Sequence, residues 1–480
     1  MQRRPNLLYV FADQWRRQAV GLMKEDPVWT PHIDEFADEA LMFTQAISCT
    51  PLCSPHRSAL MTGKYAFSTG VYTNCKTGLP VMLSPEETGI AEVLRSGGYA
   101  TGYIGKWHLD LPEQNVSEQP LSGARDWDAY TPPGPRRFGF DYWYSYGTHD
   151  DHLAPHYWQD SSEMIDIDAW SVQHETDKAL EYIQRHASSE QPFSLFLSWN
   201  PPHSPFELVP EKYKQLYQDR ELSKRGNMVP TDPFLVHTGE YIAGGEAAWQ
   251  QYARDYYAAI SGIDEQFGRL LRQLEASGIA EDTIVVLTSD HGELLGSHGM
   301  MAKHAWHEES IGVPFMVRWP KGIRSGRTDV VLNTVDIMPT LLELLEMEVP
   351  GTVQGDSLAI HMRHPSENGA LQFRDEEADR RVGYISAFPG RLPAVEAFRK
   401  AGLNHLDFGW RGIRSMSYVY VVNRGYAPEA EVDRWLYDLR EDPYQLHPLR
   451  LESASEHAVS ERLEQLLAHY LRMTGDGFRL

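Results

Sequence analysis

Three short apolar runs, each ending in a polar cluster, constrain this chain most. Leu7–Phe11 leads to Asp13, Phe193–Leu197 to Asn200-Pro201-Pro202-His203, and Thr283–Thr288 to Asp290-His291. A half-exposed strand alternates apolar and polar residues, whereas an unbroken apolar run of this length belongs to a strand covered on both faces. Amphipathic helical patterns lie between the runs. The clearest spans about 247–276, with Tyr252, Tyr256, Ile260, Ile263, Phe267, Leu270 and Leu274 at helical spacing and Gly278 as a stop. Covered strands alternating with helices predict an α/β fold, a large mixed, mostly parallel sheet sandwiched by helices. Ligands of such sheets bind beyond the C-terminal ends of the strands. Asp13, His203 and Asp290-His291 all fall at such ends.

The polar, charged stretch from about Pro365 to Arg381 predicts a boundary between 1–365 and 382–480. Beyond it, Val382–Ala387, Gly412–Val422 and Trp435–Leu439 are strand-like. A closing helix is expected from the capping-box pattern Ser453-Ala454-Ser455-Glu456 to Gly475, with Leu463, Leu466, Leu467, Tyr470 and Leu471 on one face. This predicts a smaller C-terminal α+β subdomain with an antiparallel sheet.

The chain carries 44 Lys+Arg against 67 Asp+Glu, a formal net charge of −23. That balance excludes a nucleic-acid binder, which needs clustered cations for phosphates. It also weighs against a long polyanion as ligand, although a local basic pocket can override the global field. No apolar stretch approaches the roughly 18 residues that mark a membrane span, and the N-terminal apolar run is too short for a signal peptide. The sequence as it stands therefore reads as cytoplasmic, or as periplasmic or secreted where a leader has been trimmed. Three cysteines, Cys49, Cys53 and Cys75, do not make a disulfide framework.

Cys53-Ser54-Pro55-His56-Arg57, continuing to Leu60-Met61-Thr62-Gly63, carries the densest chemistry. Ser54 is a good N-cap, Pro55 suits the first helical position and Gly63 is a stop. Cys53 is thereby expected at a helix N-terminus, where amide donors and the dipole lower a thiol pKa, with Arg57 projecting to the same side. A small buried hydrophobe is the plain alternative for this cysteine. In Gly98–His108, Lys106 and His108 are two residues apart, which turns both to one face of an extended segment. An ammonium there suits a tetrahedral anion, and an imidazole transfers protons near neutral pH. Taken alone, the pair also fits a solvated edge. Asp13-Gln14 and Asp290-His291 are candidate metal ligands. Oxygen donors favour Ca²⁺ or Mg²⁺, and an imidazole tilts the site toward Mn²⁺ or Zn²⁺. For either aspartate alone, an N-cap or a surface charge is the plain reading.

Together these segments resemble the type I, formylglycine-dependent sulfatases of the alkaline-phosphatase-like superfamily. Cys53-x-Pro55-x-Arg57 followed by Leu-Met-Thr-Gly is similar to that family's first signature, with His56 where Ser is commonest. Gly98-Tyr99 through Gly105-Lys106-Trp107-His108 is similar to its second. Asn200–Phe206 resembles its Pro-Pro-His-x-Pro loop, and Ser289–Glu293 through Lys303 its metal pair and lysine. The resemblance runs from Asn6 to about 439. It implies that a separate formylglycine-generating maturation enzyme oxidises Cys53 to Cα-formylglycine, whose hydrate attacks the sulfur of a sulfate ester. It implies that Asp13, Gln14, residue 53, Asp290 and His291 hold one divalent cation, Ca²⁺ first, then Mg²⁺ or Mn²⁺. Arg57, Lys106 and Lys303 would neutralise the sulfate oxygens, His203 with Lys303 would protonate the departing alcohol, and His108 would help expel sulfate.

The implied substrate is a sulfate monoester on a mono- or oligosaccharide, with small alkyl (choline-type) and aryl sulfates as minor alternatives. A phosphonate monoester or phosphodiester hydrolase of the same superfamily shares the nucleophile and the Asp-Gln and Asp-His pairs. That group tends to lack the Gly-Lys-x-His element, so Lys106 and His108 favour a sulfatase. An unmodified thiol enzyme wants a paired His and no metal, and an inactive scaffold wants a missing key residue. The His-rich stretch 148–158, with His149, His152 and His156, has no recognised metal-ligand spacing and is expected to form a substrate-recognition or lid loop near the pocket, with an ordinary surface loop as the plain alternative and a second metal as a minor one.

Overall fold

Residues 4–76, 78–112, 128–228, 245–363 and 381–480 are described by the computed structural model. The first ten strands are β1 (Asn6–Asp13), β2 (Leu41–Ile47), β3 (Ala100–Lys106), β4 (Tyr142–Tyr146), β5 (His156–Tyr157), β6 (Ile165–Asp166), β7 (Phe193–Pro202), β8 (Thr283–Ser289), β9 (Phe315–Arg318) and β10 (Gly326–Asn333). Eight of them form one sheet in the order β10-β2-β9-β8-β1-β7-β3-β4, while β5 and β6 pair separately. Only β9 runs antiparallel to its neighbours; the other adjacent pairs are parallel. The sheet is thus mixed and mostly parallel, as the apolar runs predict.

The strand alternation of β1 shows why its run is unbroken. Leu8, Val10 and Ala12 join one core with residues of the helices Pro31–Glu39, Ser171–Ala187 and Gly245–Ala276. Leu7, Tyr9 and Phe11 join the other, with the helices Cys53–Thr62, Ile90–Ser96 and Thr334–Leu344. Both faces are covered, so neither parity tolerates a polar residue. Each fully buried large aliphatic side chain contributes about 1.5–3 kcal/mol. Because β1 pairs with β8 and β7 on its two sides, the ends of these three strands converge.

The chain after residue 381 forms a second, antiparallel sheet of β11 (Gly383–Ala387), β12 (Trp410–Arg414), β13 (Tyr418–Asn423), β14 (Asp433–Asp438) and β15 (Leu449–Leu451), paired in sequence order. The expected run Gly412–Val422 is in fact a hairpin, broken at Ser415–Ser417. The capping box at Ser453 opens only a short 3-10 turn, Ala454–Glu456. The closing helix starts later, at Ala458, where His457 caps it, and ends at Gly475 in a left-handed conformation. That helix buries Leu463, Leu467 and Leu471 against one face of the sheet. The other face packs Trp410 and Trp435 against Trp306 and Ile311 of the preceding part. The charged segment read as a boundary lies almost wholly outside the described residues. Among the described residues, no helix is long and apolar enough to cross a membrane.

Glu308 clamps the two sheets together. Its carboxylate accepts from Arg17, just after β1, at 2.7 Å and from Arg414 on β12 at 3.1 and 3.0 Å. Burial raises this carboxyl, but the Arg414 and Arg17 guanidiniums outweigh it and hold it at about 2. Removing one partner of a buried ion pair costs about 3–5 kcal/mol because the remaining charge is uncompensated. Glu308→Ala should therefore lower the unfolding free energy from urea titration by that order. The depressed pKa contributes stability above the ordinary glutamate value of about 4.3, and this is lost as pH falls toward about 2. Wild type should thus lose more stability across that window than the variant in acid titrations followed by circular dichroism. Equal slopes would refute the clamp.

Candidate active site

The converging strand ends hold a buried cluster of opposite charges. Backbone pairing sets Ala12 beside Ser289, and the Asp290 N–H donates to the Ala12 carbonyl at 3.1 Å. Asp13 and Asp290 therefore follow side by side. The Arg57 guanidinium reaches both through one nitrogen, at 3.1 and 3.2 Å. Its other terminal nitrogen donates to the Lys106 carbonyl at 2.6 Å and the Ser198 hydroxyl at 2.8 Å, and its carbon stands 5.0 Å from the Phe11 ring. Lys106 Nζ, at the end of β3, lies 2.7 Å from Asp13 and donates to Asn200 at 2.9 Å.

Cys53 is the first residue of its helix and points into this cluster. Its Sγ is 3.6 Å from Asp13 Oδ1 and 3.3 Å from His291 Nε2. Ser54 is not the cap the sequence suggests. Leu52 occupies that position, while the Ser54 hydroxyl donates to the His108 carbonyl and accepts from the Cys75 N–H, tying the Cys53 helix to the segment after β3. Burial pushes the Cys49 and Cys75 thiols up to about 12. Burial and then Asp13 also oppose ionisation of Cys53, yet Lys303, Lys106 and a hydrogen bond with His203 leave it below the usual thiol value. His56 is buried too, its Nδ1 within hydrogen-bond reach of Ser48 (2.9 Å) and Thr334 (3.1 Å).

Asp13, Cys53, Asp290 and His291 present ligand atoms all within 4.8 Å of one another. His291 donates from Nδ1 to the Gly292 carbonyl at 3.0 Å, so Nε2 keeps its lone pair and faces the others. Burial and then Asp13 push the Asp290 carboxyl up to about 7. Two buried carboxylates and a correctly oriented imidazole are a donor set that a divalent cation fits. Gln14 sits beside this set with φ of 68°. Its backbone N–H donates to Asp290 at 3.1 Å, while its side chain accepts from Lys303 and donates to Glu293.

On the cleft side, Lys303 Nζ donates to His203 Nε2 at 3.1 Å, and His203 Nδ1 donates to the Ser204 carbonyl at 2.6 Å. His203 is thus neutral. Burial, then Lys303 and Lys106, lower its pKa. His108 does not reach the site by strand alternation, because β3 ends at Lys106 and His108 takes a left-handed φ of 54°. Its Nε2 donates to the Cys75 carbonyl at 3.2 Å and its buried Nδ1 has no hydrogen-bond partner.

The three histidines expected to recognise substrate face inward. His152 donates to the His203 carbonyl at 2.8 Å, His156 bonds Asp128, and His149 stacks on His156 at 4.3 Å. None of them lines the cleft of about 480 Å³ that opens from His203 and Lys303; Asp150 does. All three rings are buried beneath the site. Asp150, 3.5 Å from His203 Nδ1, and Asn200, which bonds both Lys106 and Asp150, were not singled out from the sequence. Asn200 directly precedes the Pro-Pro-His loop, a signal that was available. The outer wall of the cleft comes from the C-terminal part, through Phe388–Arg391 and Tyr426.

Comparison with known proteins agrees with this geometry. A family model described as Sulfatase matches residues 5–347. The chain is 34% identical to the endo-4-O-sulfatase of Bacteroides thetaiotaomicron, over 98% of this chain and 92% of that protein. It is 33% identical to the ulvan-active sulfatase of Formosa agariphila, over 99% and 83%. A solved Bacteroides fragilis structure assigned as the sulfatase YidJ superposes with a TM-score of 0.84 at 33% identity, covering 100% of this chain and 97% of that one. The phosphonate monoester hydrolase of Agrobacterium radiobacter, at 23% identity and TM-score 0.70 over 98% and 95%, shares the fold. The chain belongs to the sulfatase family of sulfuric ester hydrolases.

Proposed function

We propose that this protein hydrolyses a sulfate monoester on a mono- or oligosaccharide, with formylglycine made from Cys53 by a maturation enzyme and one bound divalent cation, Ca²⁺ foremost. The observation that carries the reading is the meeting at Cys53 of a cation-ready donor set on one side and the Lys303–His203 pair on the other. Relatives named for a 4-O-sulfate and for ulvan support a saccharide as the sulfate carrier.

When present, the formylglycine hydrate supplies the nucleophile and the cation polarises the sulfate oxygens. Asp13, Asp290 and His291 would hold that cation, with Gln14 beside them. Arg57 keeps the two carboxylates together, and Lys106 adds a fixed positive charge where negative charge collects on the non-bridging oxygens. Lys303 carries the transferable proton on Nζ, shared with the bare His203 Nε2, and the pair delivers it to the departing sugar oxygen. His108 keeps Nδ1 free of partners and serves as the base for sulfate release.

Peptide mass spectrometry of protein co-produced with a maturation enzyme should show residue 53 lighter by about 18 Da, the thiol-to-aldehyde change. The matured protein should release sulfate from saccharide sulfates faster than it cleaves phosphonate esters. A thiol-bearing protein that is fully active, or a preference for phosphonates, would overturn the reading. Lys303→Ala and His203→Ala should each lower kcat by about 10²–10⁴-fold. The double variant should lose no more than the worse single one, since the two share one proton; additive losses would separate their roles. Treatment with EDTA should abolish sulfate release, and Ca²⁺ should restore it better than Mg²⁺ or Mn²⁺. Full activity after metal removal would exclude the cation.

A further inference from the structure

The cleft that opens from His203 and Lys303 carries two cations that the reaction does not use, Lys76 and Arg391. Lys76 lies on the segment after the nucleophile's helix, and Arg391 on the loop that follows β11. The two segments touch at Gly390, where a Cβ would lie 2.1 Å from Thr73 Oγ1 and where the Thr73 hydroxyl donates to the Gly390 carbonyl at 3.4 Å. This close approach brings the cations to one wall. Burial, and next the Arg391 guanidinium, push the half-buried Lys76 ammonium down to about 8. Arg391 also precedes the helix Leu392–Lys400, whose N-terminus has no side-chain cap and whose first-turn Ala394 lines the same cleft. His304 lines the same cleft, and burial foremost, then the positive charges of Lys303, Lys76, His291 and Arg391, hold its ring well below the usual imidazole range. Among the described residues lining the cleft, Lys76, Lys303 and Arg391 face a single carboxylate, Asp150, a local excess of positive charge on a chain of net charge −23.

We propose that Lys76 and Arg391 form an anion subsite for a second negative group of the substrate, a uronate carboxylate or a second sulfate ester, so that doubly anionic saccharides are preferred over singly sulfated neutral ones. The proposal rests on the saccharide-sulfatase reading. A guanidinium fork binds the paired oxygens of either group, and an ammonium adds a point charge. A saccharide lacking the group leaves both cations without a countercharge, which is how such sites discriminate.

Sulfate release by the matured protein tests this with two matched pairs. One is a sulfated disaccharide with an adjoining uronate and its carboxyl-reduced counterpart; the other is a disulfated and a monosulfated hexosamine. In at least one pair, kcat/KM should favour the doubly anionic member by about ten-fold or more, the equivalent of about 1.4 kcal/mol. Lys76→Met/Arg391→Met should bring that ratio close to one, chiefly through KM. The pair that responds tells carboxylate from sulfate. Equal rates within both pairs, or a ratio the double variant leaves intact, overturn the subsite. No sulfate release from any of the four compounds strikes the sulfatase reading instead. Calorimetric titration of the same protein with the four compounds then decides the subsite separately: tighter binding of doubly anionic members, lost in the double variant, supports it, and equal binding overturns it.

Discussion

Two carboxylates held side by side in a buried pocket are unfavourable unless positive charge reaches both, and the site is arranged around that constraint. Backbone pairing of β1 with β8 makes the juxtaposition of Asp13 and Asp290 unavoidable. Arg57 answers it by placing one guanidinium nitrogen 3.1 and 3.2 Å from the two carboxylates. Because Arg57 lies one helical turn after Cys53, the same contact anchors the start of the Cys53 helix. The other terminal guanidinium nitrogen holds the Lys106 carbonyl and Ser198, so β3 and β7 are registered against the same point. Charge compensation, placement of Cys53 and strand alignment are one interaction seen from three sides.

The later part of the chain completes what the large sheet leaves open. Glu308 binds Arg17 near the site and Arg414 in the second sheet, and Trp306 packs between Trp410 and Trp435. These contacts hold Phe388–Arg391 and Tyr426 over the cleft. The inner wall of the cleft thus carries the charged cluster at the strand ends, and its outer wall comes from residues outside the motifs of the first part of the chain.

Much of this was legible in the chain. Unbroken apolar runs identified three central strands because both faces of each are covered, and the acids that ended them fell in one pocket because parallel strands end on the same side. Local signals were less reliable where tertiary partners competed for the same groups. Ser54 reads as a helix cap, but its hydroxyl is used by His108 and Cys75. Ser453 caps a short turn in place of the closing helix. His108 follows Lys106 at strand spacing, yet the strand has already ended and its backbone turns left-handed. The histidines of 148–158 read as a binding loop because their inward partners, Asp128 and the His203 carbonyl, are distant in sequence or belong to the backbone.

The sequence by itself determined the sheet's buried strands, the helices that flank them, the residue types that end those strands and the family. Periodicity and motif spacing are properties of neighbouring residues, and chemistry needs particular side chains whatever surrounds them. Only the tertiary structure decided which tautomer His203 and His291 carry, which amide holds Lys106, and that Lys76 and Arg391 share a wall of the cleft. Those outcomes depend on through-space contacts between segments up to several hundred residues apart. Electrostatic and hydrogen-bond energies act through distance, and distance is what folding supplies.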